Sequence, residues 1–316
     1  MYPLSNSPAS PSDPYFGRAQ MAPLPVVLSV LVSQVLLKLL LFGQPFLHRL
    51  AMPLEGWSGG LISPSATAGM LTLLVIVGGL ILISGSLRLH TLGWDRDGFR
   101  IGMLLFIVLV TAGQVVPATS LIVTTGTVEL STVAPTGQFV AASIENWIGA
   151  ALGEELIYRG FLLVQIYFLL LTRSRLSRES SLVAAIAVSQ VWFGLNHAGS
   201  ALRMGLAPVA ATGYLLHATL VGILLAVLFI RSGSIIVPIV AHGLLNLPIS
   251  FLPSAVDPQI VMLVLICAAM LVLPYCYSAQ SRRFRVPTVL AVLSREAARS
   301  ACLTSSDISE SSRSSF

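Results

Sequence analysis

The chain has 316 residues, 55% of them hydrophobic and only 10% charged, with a mean hydropathy of +0.86. A soluble domain carries about 25% charged residues, so this composition excludes a soluble globular fold, and the length suits one polytopic membrane domain. The formal net charge of +5 does not point to nucleic acid, because the arginines sit in the seams between apolar runs, where they set topology.

Residues 1–22 are rich in Pro and Ser and read as a disordered tail. They do not make a signal peptide, because no basic segment directly precedes the apolar run that follows. Eight candidate spans come next, at about 24–43, 66–87, 101–123, 140–171, 181–197, 205–230, 234–252 and 258–279. Turn and charge signals mark the seams, as in "LGWDRDGFR" (92–100), "TRSRLSRES" (172–180), "RSGS" (231–234) and "LPSAVDP" (252–258). With the N-terminus inside, fourteen arginines fall inside and only Arg49 and Arg203 outside. That asymmetry is the one the positive-inside rule requires, and it predicts both termini in the cytoplasm. The expected organisation is a tail over 1–22, an eight-helix membrane domain over 23–281 with its core at about 140–252, and a cytoplasmic tail over 282–316. The last part starts with a basic stop-transfer cluster and ends Ser-rich. Cys267, Cys276 and Cys302 form no CxxC and suggest neither a disulfide framework nor a cysteine-ligated metal.

Ionisable residues inside spans are expensive and usually mark function. The spans hold Lys38, Glu145, Glu154, Glu155, Arg159, His197, His217 and His242. Lys38, near the outer end of the first span, can snorkel to the interface. Glu145 lies near an outer end and is expected to be wet, and His217 reads as a helix-packing residue. Glu155 and Arg159 are i,i+4 with the acid N-terminal, so they can pair on one helix face. Glu154 lies about 100° round the helix and is left for other work. Small residues four apart in "GAALG" (149–153) allow close helix packing. Phe193 and His197 share a face, as do His242 and Asn246, again by i,i+4 spacing. Three helices thus deliver polar groups at a similar depth.

Glu154-Glu155-xxx-Arg159, Phe193-xxx-His197 and His242-xxx-Asn246 together resemble the pattern of the CPBP family of intramembrane proteases. That family includes the Rce-type CaaX prenyl endopeptidases and the bacterial CAAX amino-terminal protease and self-immunity proteins. The resemblance covers about residues 146–250. It implies an all-α, eight-helix membrane fold with a conical polar cavity and a glutamate-dependent peptide hydrolysis. The partners it implies are the lipid bilayer and a membrane-associated or prenylated peptide substrate. The expected location is the plasma membrane of a bacterium.

The residues suggest how. Glu154, poorly solvated, can act as base toward a water. His197 can hold that water or protonate the leaving amine, and His242 and Asn246 can donate to a developing oxyanion. Arg159 with Glu155 would orient the helix, and Phe193 is expected to contact substrate. A zinc version, with Glu154, His197 and His242 as ligands and Glu155 as base, is the second form of the site. The metal-free version is favoured, since no HExxH is present. Two other functions compete: a proton- or ion-coupled transporter using the same residues as a relay, and a non-catalytic immunity or scaffold protein. No internal repeat supports the transporter.

Overall fold

The computed structural model describes residues 19–41, 45–127, 136–249 and 257–276, and all regular structure among them is helical. In chain order the helices are α1 (Leu24–Leu41), α2 (Pro45–Trp57), α3 (Pro64–Ser84), α4 (Arg96–Thr125), α5 (Gly137–Arg173), α6 (Arg178–Leu195), α7 (Ala198–Arg203), α8 (Pro208–Ser232), α9 (Ile236–Asn246) and α10 (Pro258–Cys276). A short 3₁₀ turn, Leu89–Leu92, joins α3 to α4. The expected first tail up to residue 18, the whole of the expected second tail, and most of the "LPSAVDP" seam lie outside the described residues. Gln20 and Ala22, at the end of the first tail, are fixed to α5. Gln165 donates to the Gln20 carbonyl at 2.9 Å and accepts from the Ala22 N–H at 2.7 Å.

The predicted seams stop and start helices by ordinary capping. Asp95 accepts from the Gly98 N–H at 2.6 Å and starts α4. Ser177 does the same for Ser180 at the start of α6. Gly126 and Gly233 end α4 and α8 with positive φ of 74° and 65°, a conformation that costs glycine nothing.

Among the described residues, six helical segments are long and apolar enough to cross a membrane: Leu24–Leu41, Pro64–Ser84, Arg96–Thr125, Gly137–Arg173, Arg178–Arg203 and Pro208–Ser232. Of the remaining two expected spans, α9 is shorter, with 11 residues, and α10 has 19. The 11 residues of α9 rise only about 16 Å. Helix α9 is buried along nearly its whole length, so its backbone is sheltered by protein rather than lipid. Of the eight expected spans, six therefore appear as long apolar helices among the described residues, the seventh as the short α9 and the eighth as the 19-residue α10.

Helix α5 is the axis of the bundle. Arg159, Phe161, Leu162, Leu163 and Tyr167 on it are fully buried. Its turns widen to π-helical over Glu145–Leu152 and Leu156–Leu163, flanking a short α-helical step at Gly153–Glu155; such widened turns are frequent at functional sites. The outer helices show the inverted pattern of a membrane protein. Leu28, Val32, Leu36, Leu39 and Leu40 of α1 are exposed, as are Leu104, Ile107, Val108, Ile122 and Val123 of α4. The inward stripe of α4 begins with glycines: a Cβ on Gly98 would run into Ser234, and one on Gly102 into Ile236, so the first turns of α4 pack directly on the start of α9. The predicted small-residue contact of α5 is present as well. Gly149 lies against Ala66 and Gly69 of α3, close enough that a Cβ on Gly69 would strike the Gly149 backbone.

Candidate active site

Helix α5 brings Glu154, Glu155 and Arg159 into the centre of the bundle. The expected pair is present: Arg159 Nη1 donates to Glu155 Oε1 at 2.8 Å, with both side chains fully buried. Arg159 Nη2 donates to the Gly222 carbonyl of α8 at 3.3 Å. The guanidinium carbon also lies 4.3 Å from the centre of the Phe193 ring, a cation–π contact made stronger by burial. Gly222 permits this approach. A Cβ there would meet Gln190 Oε1 and Phe193 Cδ1 at 2.9 Å and Arg159 Nη2 at 3.2 Å.

Glu155 has a second partner that spacing within one helix cannot reveal. His242 Nδ1 lies 2.6 Å from Glu155 Oε1. In the pair a carboxylate accepts, so Nδ1 carries the proton and Nε2 is turned outward, which fixes the tautomer. His242 Nε2 points toward Glu154 Oε2 at 3.8 Å, beyond a direct hydrogen bond. Glu155 thus joins Arg159 and His242, and α5 to α9. The glutamate expected as base of a zinc version is held by these two partners through Oε1 alone, and its Oε2 is buried without a hydrogen-bond partner. Glu154 is different: its side chain keeps 26% of its surface exposed.

His197 lies in the turn just after α6, at the start of α7, rather than inside a continuous span. Its Nδ1 donates to the Phe193 carbonyl at 2.9 Å, since a carbonyl can only accept, so the neutral ring carries its lone pair on Nε2. His197 and Glu154 act on each other electrostatically, as do Glu154 and His242. Phe193 is the packing hub of the cluster. It is 2% exposed and meets Tyr158 at 4.9 Å, His197 at 4.7 Å and His242 at 6.3 Å in edge-to-face geometry. That leaves little of the ring to touch a substrate.

Asn246 ends α9 one turn beyond His242 with its side chain exposed, and the cluster's hydrogen bonds do not include it. His217 of α8 is exposed too. Glu145 accepts from the Ser63 hydroxyl at 2.6 Å, tying α5 to the N-cap of α3. Among the described residues no three or more His, Cys, Asp or Glu side chains are grouped so as to hold a metal ion.

Several site residues escaped the sequence reading. Tyr158 stacks on Phe193, and Tyr214 of α8 stands 6.1 Å from the His197 ring. Asn146 donates from Nδ2 to the Gly243 carbonyl at 2.7 Å, beside His242. Lys38, expected to snorkel, turns inward: Nζ donates to the Asn196 carbonyl at 2.7 Å. For Lys38 a signal existed, in Gln34 and Lys38 as the one amide and the one charge of a helix that is otherwise apolar apart from two serines, four residues apart.

Residues 136–248 match the family model described as Rce1-like, Type II CAAX prenyl endopeptidase Rce1-like. The matched stretch contains all three motifs and leaves α1 to α4 and α10 outside. No curated protein and no solved structure matches the chain. With six long apolar helices and this match, the protein is an integral membrane protein.

Proposed function

We propose, for a chain whose motif-bearing segment matches the Rce1-like CAAX prenyl endopeptidase model, that it is an intramembrane endopeptidase in which Glu154 activates a water against a peptide bond. The observation that carries this reading is the division of roles between two adjacent glutamates. Glu155 is sealed between Arg159 and His242. Glu154 is partly exposed, faces His242 Nε2 at 3.8 Å, and interacts electrostatically with both histidines.

In this reading Glu154 takes one proton from the water as its oxygen attacks the carbonyl carbon. His197 orients the water through Nε2, because Nδ1 is held by the Phe193 carbonyl. His242, when it carries both protons, donates from Nδ1 to Glu155 and from Nε2 to the developing oxyanion, and Asn246 supplies a second donor once substrate is bound. The C–N bond then breaks, and the proton held by Glu154 passes to the leaving amine, directly or through His197. Phe193 and Arg159 act as the platform that holds the two histidines apart. The step is written without a metal; a zinc, if bound, would be held by Glu154, His197 and His242 and would activate the same water. The substrate class we propose is a membrane-embedded or prenylated peptide, following the name of the matched family.

The test compares newly formed peptide termini in membranes from cells carrying wild-type protein or Glu154→Gln. A set of cleavage sites present only with the wild type is expected. Identical sets, with both proteins inserted at equal levels, would sink the protease reading.

A further inference from the structure

We propose that α1, which lies outside the family match, belongs to the working site: Gln34 and Lys38 form a two-rung ladder on the end of α6 that positions His197. The inference rests on the hydrolase reading for its kinetic consequences but not for its geometry.

Helix α1 is apolar along nearly all of its 18 residues. Its Gln34 is 3% exposed, and Oε1 accepts from Trp192 Nε1 at 3.3 Å. One turn on, Lys38 Nζ donates to the Asn196 carbonyl at 2.7 Å. The two α1 residues are i,i+4, and so are the two they grip. Trp192 and Asn196 each directly precede a motif residue, Phe193 and His197. The ladder therefore holds the same turn that aims the Phe193 carbonyl at His197 Nδ1.

Two physical arguments separate this from snorkelling. A lysine that snorkels extends its ammonium into the aqueous interface. Here the ammonium satisfies a carbonyl at the C-terminal end of α6, one that has no partner within its helix; a cation there also complements the helix dipole. Second, the charge of Lys38 is near enough to act on both Glu154 and His197. The lysine thus fixes where His197 points and offsets part of the negative charge of Glu154 without belonging to any motif. Lys38 touches no reacting atom in this arrangement and is a positioning residue.

The test uses the full chain in nanodiscs, with Lys38→Met, Lys38→Arg and Gln34→Leu. Nitrogen-15 histidine spectra, with His197 identified by its loss in His197→Gln, need no cleavage. Lys38→Met should move the His197 ring resonances and leave those of the exposed His217 in place. Unchanged His197 resonances would overturn the proposal. Cleavage of a peptide taken from the termini comparison gives the second readout. Lys38→Met should lower kcat at least tenfold with KM changed less than twofold. Lys38→Arg should restore at least half of the loss, and Gln34→Leu should show a smaller fall in kcat. A loss confined to KM, a loss explained by a lower melting temperature, or no rescue by arginine would also overturn it. If the wild type shows no Glu154-dependent cleavage, the hydrolase reading falls, and the His197 resonances still decide whether the ladder positions that ring.

Discussion

Glu154 and Glu155 are neighbours in sequence and opposites in environment, and the first predictions concern that difference. Glu154→Gln is nearly isosteric and removes the proposed base. It should reduce cleavage at least about a hundredfold, the low end of what a positioned general base contributes, while the melting temperature stays within a few degrees of wild type. Cleavage at the wild-type rate by the purified variant would remove Glu154 from the mechanism. Arg159→Ala acts differently. It leaves Glu155 with only His242 as partner in a fully buried position and removes the cation from the Phe193 face. Breaking a buried ion pair by deleting one partner costs about 3–5 kcal/mol, so thermal unfolding in detergent should show a marked fall in melting temperature. A fully stable variant would contradict the burial. At this scale the sequence disclosed whatever lies within one helix. Glu155 with Arg159, and Phe193 with His197, follow from i,i+4 spacing alone. The bond from Glu155 to His242 spans 87 residues, and no local periodicity encodes it. The same holds for Lys38 and Asn196, which are 158 apart.

Between elements, contacts are set by missing side chains as much as by present ones. Gly222 of α8 lies where Arg159, Gln190 and Phe193 converge. Gly222→Ala should therefore push the guanidinium and the Phe193 ring off their positions, since overpacking of a tight interior typically costs about 1–3 kcal/mol. The expected result is a lower melting temperature together with a drop in kcat. Gly213→Ala, on the same helix with open space at its Cβ, should change neither. Equal behaviour of the two variants would mean that the convergence at Gly222 is not tight. The seams were legible because their signals are chemical and local: Asp95 and Ser177 cap, and Gly233 turns. The close approach of α5 to α3 was legible from Gly149 and Gly153. The end of α6 was not. "WFGLNHAG" continues the apolar period, so a single span to residue 197 was expected, yet the helix turns at Asn196 and His197 and restarts as α7. Nothing in the pattern distinguishes a turn held by Lys38 from another helical turn. The amphipathic α2 was missed for the opposite reason: at 13 residues, with Pro53 inside, it lacks the length that marks a span.

For the whole molecule the open quantity is the number of crossings, and α9 decides it. A hydrocarbon core is about 30 Å thick, while α9 alone rises only about 16 Å. If α9 and its flanks still cross, the chain makes eight passes and the segment after α10 returns to the side of the N-terminus. If α9 dips in and returns, the chain makes seven passes and everything after α10 lies opposite. The arginines distinguish these cases. With eight passes, Arg282, Arg283, Arg285, Arg295, Arg299 and Arg313 join Arg18, Arg88, Arg96, Arg100, Arg173, Arg175, Arg178 and Arg231 on one side, against Arg49 and Arg203. With seven passes the two sides carry equal numbers, and the asymmetry that drives insertion disappears. Cytoplasmic loops should carry the excess of basic residues, so eight passes with both ends in the cytoplasm is the expected arrangement. Reporter fusions after Arg178 and after Arg282 test it. The first should read cytoplasmic under either count and so checks the orientation of the first five helices. The second should also read cytoplasmic. A cytoplasmic signal at Arg178 with an extracytoplasmic one at Arg282 would make α9 re-entrant. His242 would then enter the site on a hairpin held by the Glu155 carboxylate and the Asn146 amide rather than on a spanning helix.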